Sequence, residues 1–233
     1  GNPRKQWIRA IVIHTVHGKS GKLLPGKKAS TRAETYAKYQ ANTSRDVSWD
    51  YTVDTDGTIV VSNDPIRRYT WQAGSVNSFT LGIELVQDDN GDVYEDQMLT
   101  LVSFLDVLTR ELADRNHPIQ RQIPVGPDGN PVKGVIPRIQ SVDTHASVCG
   151  VYGHRNQTTN RGPGDPGDFP FLALLAAGYK GFDLSANEDI DFWKATQKPL
   201  GIAPVDGVPG RGTALALKNA GHAHGLLVRR PGD

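Results

Sequence analysis

The chain contains one cysteine, Cys149, among its 233 residues. A single cysteine excludes a disulfide framework and a metal site built only from thiolates. Long apolar runs are also missing, because none approaches the roughly 20 residues of a membrane-spanning helix. The first residues, GNPRKQW, lack the apolar core of a signal peptide. We therefore expect no membrane span, and we expect any export signal to have been removed.

An excess of charge of either sign is absent as well. The 26 basic residues nearly balance the 25 acidic ones, and the formal net charge is +1. Such a chain creates no field that attracts nucleic acid or an anionic membrane, so a nucleic-acid partner is not expected. Hydrophobic residues make up 37% of the chain, which is enough for the core of one large domain, alone or with a small appendage.

Strand-like and helix-like runs together predict a mixed α/β fold with a central, mostly mixed β-sheet flanked by helices. β-branched residues and period-two alternation mark the strands, and the turn Asp56-Gly57 makes one run a hairpin. The first helix begins with a Thr31/Glu34 capping box, and the second has Asp96 as its predicted N-cap. The predicted strand regions are 8–15, 51–61, 81–86 and 148–152, and the predicted helices are 31–42, 96–115 and 169–177.

The remaining segments define the predicted domain organisation. Residues 118–142 are rich in proline and predict a long ordered loop with a hairpin turn at Asp128-Gly129. From about residue 179 the chain changes to two short helical stretches around the sequence VDGVPGRGT. We therefore predict a main domain over residues 1–178 and a small helical appendage over 179–233.

The stretch 153–167, GHRNQTTNRGPGDPG, combines His154 with Asp165. Pro166 restricts the backbone of that aspartate, and the flanking glycines give freedom for a tight turn. Imidazole nitrogen and carboxylate oxygen suit Zn²⁺, which in catalytic sites takes three protein ligands and leaves one position for water. A third ligand is therefore expected elsewhere. The competing interpretation is structural, because Asp-Pro-Gly is a common turn sequence and His154 is then an ordinary loop histidine.

Two predicted strands each carry a polar residue in an otherwise apolar run. His14 alternates with Ala10 and Val12 on one face of the first strand, where a histidine is more often a hydrogen-bonded core residue than a ligand. Glu84 is the only charge in the third strand, and a carboxylate there is costly unless it is paired or functional. The alternative for Glu84 is a solvated charge on a half-exposed strand.

The chain resembles the zinc-dependent N-acetylmuramoyl-L-alanine amidases of the type-2 amidase and peptidoglycan-recognition-protein superfamily over about residues 7–178. Four stretches in the same order carry the resemblance: IVIHT, YTVDTDGTI, WQAGSVNSFTLGIELV and VYGHRNQTTNRGPGDPG. The resemblance implies that His14, His154 and Asp165 are zinc ligands and that Glu84 is a catalytic carboxylate. His145 is a rival ligand by residue type, but it has no matching motif and is interpreted as a loop residue near the site.

The resemblance implies hydrolysis of the amide between the lactyl group of N-acetylmuramic acid and L-alanine of the stem peptide. The substrate would be peptidoglycan or a muropeptide, and the enzyme would face a cell wall as a periplasmic, secreted or phage-delivered protein. The alternative is a non-catalytic peptidoglycan-recognition protein of the same fold. Inactive relatives have typically lost a metal ligand, whereas this chain keeps all three, which favours the enzyme. A two-metal phosphoesterase would need more clustered carboxylates.

The loop before Asp165 departs from the family pattern. Related amidases often have a lysine two residues before the third ligand, where this chain has Pro163. Arg161, two residues further upstream, is the predicted substitute that donates to the amide oxygen in the transition state. Arg155 directly follows His154 and is expected to point away from the metal, because neighbours on an extended strand face opposite sides.

Two further departures concern the hairpin and the third strand. Trp49 stands where some relatives have a tyrosine, with Tyr51 two residues later, and the "HAG" of relatives reads Gln72-Ala73-Gly74. Near the end, residues 205–213 are similar to the core of a small helical peptidoglycan-binding module. The appendage is therefore predicted either to bind peptidoglycan or to be a packing element that stiffens the main domain.

Overall fold

The structure is a computed structural model that describes residues 2–5, 8–136, 150–158 and 160–183. Its helices are α1 (Arg32–Asn42), α2 (Glu95–Asp114) and α3 (Phe169–Ala176), with 3-10 turns at Gly74–Phe79 and His154–Asn156. Its strands are β1 (Asn2–Pro3), β2 (Ala10–Thr15), β3 (Leu23–Leu24), β4 (Tyr51–Val53), β5 (Ile59–Val61), β6 (Arg68–Tyr69), β7 (Thr80–Leu85), β8 (Val93–Tyr94), β9 (Gln122–Val125), β10 (Gly150–Gly153) and β11 (Lys180–Asp183).

The central sheet has five strands in the order β10-β2-β7-β4-β5. The first four are parallel to one another, and β5 pairs antiparallel with β4 to form the predicted hairpin. The predicted mixed sheet is therefore confirmed. Three two-stranded pairs, β1-β6, β11-β9 and β3-β8, lie around it.

The two faces of the sheet follow the alternation of the sequence. Odd-numbered side chains of β2 and β7, such as Ile13 and Ile83, pack with α2 and α3 in the larger hydrophobic core. Ala10 and Val12 belong to a smaller cluster on the other face, with Val76. His14 continues the Ala10 and Val12 face, as the period-two pattern predicted.

Parallel strands bring three functional candidates to one edge of the sheet. The carboxyl ends of parallel strands lie at the same edge of a sheet. His14 lies near the carboxyl end of β2, and His154 directly follows the last residue of β10, so both reach this edge. In the register between β2 and β7, His14 is the partner of Glu84. The order of the strands therefore positions the site.

Thr31 is the N-cap residue of α1, as predicted, but its side-chain capping bond is missing, and Asp96 is not the N-cap of α2. Thr31 makes no side-chain cap bond, and the amide of Ala33 donates instead to Oδ2 of Asp54 at 2.8 Å. A carboxylate from the hairpin loop is the stronger acceptor and complements the positive end of the helix dipole. Asp96 lies inside the first turn of α2, where its backbone amide donates to the Gly26 carbonyl at 3.0 Å. The residue before α2 is Tyr94.

The segments after α2 agree in part with prediction. Gly126 donates to the Asn130 carbonyl at 2.9 Å across the predicted turn. Strand β11 pairs in parallel with β9, so residues 180–183 pack with the main domain beyond the boundary predicted at 178. The rest of the predicted appendage, and the segment that contains His145 and Cys149, lie outside the described residues. Within the described part of the chain, no helix is both long and apolar enough to cross a membrane.

Candidate metal centre

His14, His154 and Asp165 converge in one buried cluster. One nitrogen or oxygen from each residue lies within 4.8 Å of the others. Nδ1 of His14 is 3.8 Å from Oδ1 of Asp165, and Nδ1 of His154 is 3.3 Å from Oδ2. The two imidazole rings meet edge to face, with their centroids 4.6 Å apart. The structure thus brings together the two histidines and the carboxylate that the sequence proposed.

Backbone groups hold Asp165 in place. The amide of Thr15 donates to Oδ1 of Asp165 at 3.0 Å, and the amide of Arg155 donates to its carbonyl at 2.7 Å. Gly164 is needed for close packing and not for a left-handed turn, because a Cβ there would collide with the carbonyl of Gly18. This differs from the predicted role of the flanking glycines, and it locks the Asp165 loop against the end of β2.

Electrostatics set the protonation of two of the three groups. Burial, with the charge of His154 adding to it, lowers the pKa of His14 to about 4, although Asp165 opposes the shift. Burial alone would raise the pKa of Asp165, but the two histidines and the Thr15 amide outweigh it and the pKa lies below its ordinary value. At neutral pH His14 is therefore a neutral imidazole and Asp165 is ionised.

The donor set fits a zinc ion. Nδ1 of His154 is buried, and its 3.3 Å contact with Oδ2 of Asp165 does not have the geometry of a hydrogen bond. A buried polar atom without a well-oriented hydrogen bond is uncommon in native structures and requires an explanation. Imidazole nitrogens and a carboxylate oxygen are the ligand types of catalytic zinc sites, which keep one position open.

Glu84 faces the same cavity from β7. Its side chain is buried, with 9% of the residue exposed, so the alternative of a half-exposed, solvated charge does not describe it. Burial raises the pKa of Glu84 well above its usual value, the negative charge of Asp165 adds to the rise, and the positive charge of Arg161 opposes it. Glu84 is therefore a carboxyl group that readily holds a proton beside the cluster.

The two arginines of the loop differ in position. Nε of Arg161 lies 3.7 Å from Oδ2 of Asp165, and 55% of this side chain is exposed. Arg155 is buried and points away from the cavity, as predicted, although it lies in a 3-10 turn and not on a strand. Its guanidinium pairs with Asp168 at 2.8 Å and donates to the Pro163 carbonyl at 3.1 Å. Only Arg161 of these two lines the candidate site.

The cluster opens into a cavity of about 250 Å³. Its wall includes residues that the sequence analysis did not assign to the site: Tyr36, Tyr39, Arg45 and Trp49. Tyr36 lies on α1, and the residue pattern of that helix gave no sign of a cavity wall. Trp49 lines the cavity, whereas Tyr51 packs in the core, where its ring centroid lies 4.9 Å from that of Phe104. Trp49 therefore takes the place beside the site, and Tyr51 does not.

A family model described as N-acetylmuramoyl-L-alanine amidase, Amidase_2, matches residues 3–168. The chain belongs to this amidase family. The amidase hydrolyses the amide bond between N-acetylmuramic acid and L-alanine of the peptidoglycan stem peptide. The match includes His14, Glu84, His154 and Asp165. No curated protein matches the amidase in sequence.

Several solved structures are similar to the amidase. N-acetylmuramoyl-L-alanine amidase LysC from Clostridium intestinale URNW is 15% identical, with a TM-score of 0.43, over 76% of this chain and 92% of its own. AmpDh3 from Pseudomonas aeruginosa is 17% identical, with a TM-score of 0.45, over 84% of this chain and 69% of its own. A mutant endolysin from Bacillus subtilis is 22% identical, with a TM-score of 0.35, over 48% and 70% of the two chains.

Proposed function

We propose that the amidase is zinc-dependent and that His14, His154 and Asp165 hold the metal. The observation that carries the proposal is the buried cluster, in which one donor atom from each of the three residues lies within 4.8 Å of the others. When bound, zinc supplies a Lewis acid that polarises the amide carbonyl and lowers the pKa of water toward ~7.

Glu84 is the proposed proton carrier. Water adds its oxygen to the carbonyl carbon of the lactyl group, and its proton passes to the Glu84 carboxylate. The carbon–nitrogen bond then breaks, and Glu84 returns the proton to the nitrogen of L-alanine. The products are a free lactyl carboxylate and a stem peptide with an amino terminus. A carboxyl whose pKa is raised by burial is suited to both steps.

Arg161 is the proposed donor to the amide oxygen as negative charge grows there. A preorganised donor in such a position is typically worth about 3 kcal/mol in the transition state. Support comes from the position of Arg161 in the wall of the cavity and from its partly exposed side chain, whose one ion-pair contact is a long one, 3.7 Å from Nε to Oδ2 of Asp165. Pro163 offers no side-chain donor, and Arg155 is turned away.

The proposed substrate is peptidoglycan or a released muropeptide, and the proposed location faces a cell wall. Tyr36, Tyr39 and Trp49 give the cavity an aromatic wall, and Arg45 adds a positive charge at its rim. Aromatic faces and a cation suit a sugar-linked peptide that carries carboxylates. The predicted appendage over residues 179–233 is proposed either to bind peptidoglycan or to be a packing element that stiffens the main domain.

Mass spectrometry of muropeptide digests tests the proposed function. Purified muropeptide incubated with the zinc-loaded amidase should yield a lactyl-bearing sugar and a stem peptide that begins with L-alanine. Binding of muropeptide without a change in mass would instead identify a recognition protein. Cleavage at another bond of the stem peptide would contradict the proposed position of the substrate.

A further inference from the structure

A chain of hydrogen bonds runs from His14 into the protein on the side away from Asp165. Nε2 of His14 lies 2.5 Å from Oε1 of Gln72. The amide nitrogen of Gln72 donates to Oγ1 of Thr80 at 2.7 Å, and the Thr80 hydroxyl donates to the Val76 carbonyl at 2.9 Å. All three side chains are buried, and Thr80 is fully so.

The direction of this chain is fixed at its far end. A backbone carbonyl only accepts hydrogen bonds, so the single proton of the Thr80 hydroxyl goes to Val76. The Thr80 oxygen then accepts from the amide nitrogen of Gln72, which turns the amide oxygen toward His14. An oxygen acceptor requires a proton on Nε2 of His14. Nδ1 is left with its lone pair, on the side where Asp165 lies 3.8 Å away.

We infer that Gln72, oriented by Thr80, is a positioning residue that selects the Nε2–H tautomer of His14 and so presents Nδ1 to the metal. The inference rests on the proposed function in that it takes His14 as a zinc ligand. Partners that hold the second nitrogen of a ligating histidine fix its tautomer and ring orientation, and their loss typically lowers metal affinity about 10- to 100-fold.

The surroundings of Gln72 leave its side chain little freedom. Oδ1 of Asn77 accepts from the backbone amides of Gln72 and Ala73, at 3.0 and 2.7 Å. A Cβ at Gly82 of β7 would lie only 2.9 Å from Cγ of Gln72. Glycine at position 82 therefore leaves the space that the Gln72 side chain fills. The side-chain amide of Gln72 is therefore held in position by the protein itself, without a bound metal.

Nitrogen NMR of the metal-free wild type tests the tautomer directly. Nδ1 and Nε2 of a neutral imidazole have distinct ¹⁵N shifts, according to which of them carries the proton. The expected result is a His14 ring with its proton on Nε2. A proton on Nδ1 overturns the inference, and this readout depends neither on zinc nor on activity.

Two substitutions at Gln72 separate the acceptor from the shape of the side chain. Gln72→Met removes the acceptor at similar length and should lower zinc affinity about 10- to 100-fold, with loss of the Nε2–H preference. Gln72→Glu keeps an oxygen acceptor and should retain both the tautomer and tight zinc binding. Unchanged zinc affinity in a folded Gln72→Met variant overturns the inference.

Thr80→Val tests the far end of the chain without touching His14. Its matched control is Thr109→Val, because Thr109 is also buried and donates to a carbonyl four residues earlier, at 2.7 Å in α2. Thr80→Val should weaken zinc binding and mix the His14 tautomers, and Thr109→Val should do neither. Equal effects of the two variants overturn the role of Thr80. A wild type that binds no zinc would sink the proposed function, whereas the tautomer result would still decide the inference.

Discussion

Glu84 and Asp50 are both buried carboxyl groups of the central sheet, and they are held in different ways. Asp50 immediately precedes β4, and burial raises its pKa to about 6. Its Oδ2 accepts from the Gly82 amide at 2.9 Å and from the Thr70 hydroxyl at 3.1 Å. Glu84 lies in β7 at the carboxyl edge of the sheet, and it lines the cavity that also contains His14 and Asp165.

The comparison shows that burial and a raised pKa do not by themselves identify a catalytic group. Asp50 is completely buried and links β4 to the neighbouring strand, so its carboxylate has a structural task. Glu84 shares a surface cavity with His14 and Asp165, which is where the proposed substrate would bind. Access to substrate and the residues nearby therefore distinguish the proposed catalytic carboxyl, Glu84, from the structural one, Asp50. Substitution of each residue can test this distinction.

The largest effect is expected from removing a metal ligand. Replacement of His14, His154 or Asp165 by Ala should lower bound zinc and reduce hydrolysis to the background rate, because the Lewis acid is lost. Metal analysis by mass spectrometry, together with muropeptide assays, checks both quantities. His17→Ala is the matched control, since His17 is a nearby exposed histidine and should change neither. Loss of zinc in His145→Ala but not in His14→Ala would show that the ligand set is wrong.

Glu84→Gln should reduce kcat on the order of 10²-fold or more while zinc content and fold are kept, because an amide cannot accept the proton of water. Asp50→Asn is the paired control and should leave kcat within about twofold of wild type, since Asp50 has no access to substrate. Steady-state kinetics on a soluble muropeptide compare the two variants. Equal losses in both would erase the distinction between the carboxyl groups.

Arg161→Ala should lower kcat about tenfold or more with zinc retained, which corresponds to a loss of at least roughly 1.4 kcal/mol of transition-state stabilisation. Arg161→Lys keeps a cation on the loop and should recover part of the loss. An unchanged kcat in Arg161→Ala would remove this arginine from the site and leave polarisation of the carbonyl to the metal alone.

The last effect is on stability and not on the rate of hydrolysis, and it comes from Asp50. Its pKa is about 6 in the folded protein against 3.8 ordinarily, so the folded state binds more protons between these values and stability falls as pH rises through them. Asp50→Asn removes that dependence. Relative to wild type, the variant should therefore gain about 3 kcal/mol in unfolding free energy from pH 3.5 to pH 7.5. Urea unfolding of metal-free protein at both pH values checks this, and a constant difference would contradict it.

Local patterns were enough to predict much of the fold, whereas the choice of His14 and Glu84 as site residues came from the resemblance to the amidase family. Period-two alternation placed His14 on the correct face, and the Asp56-Gly57 turn located the hairpin. His154 and Asp165 lie in one short stretch of sequence, so both were identified together as candidate metal ligands. These features depend on residues close in sequence, where backbone geometry is largely fixed by residue type.

Features that depend on strand order were beyond local patterns. Asp54, in a hairpin loop 21 residues from Ala33, supplies the capping bond that was predicted for the Thr31 side chain. The pairing of His14 with Glu84 follows from β2 and β7 being parallel neighbours, although 70 residues separate them in the chain. Gln72 was noted only as a departure from a familiar tripeptide, because its contact with His14 exists only in the folded sheet.

The most direct test of the account is the metal dependence of wild-type activity on a muropeptide. The amidase is stripped with a chelator, its residual metal is measured, and zinc is then titrated back. The account predicts that hydrolysis disappears in the stripped protein and returns in proportion to added zinc, with saturation near one zinc per chain. Full hydrolysis by a sample verified to be metal-free would contradict it.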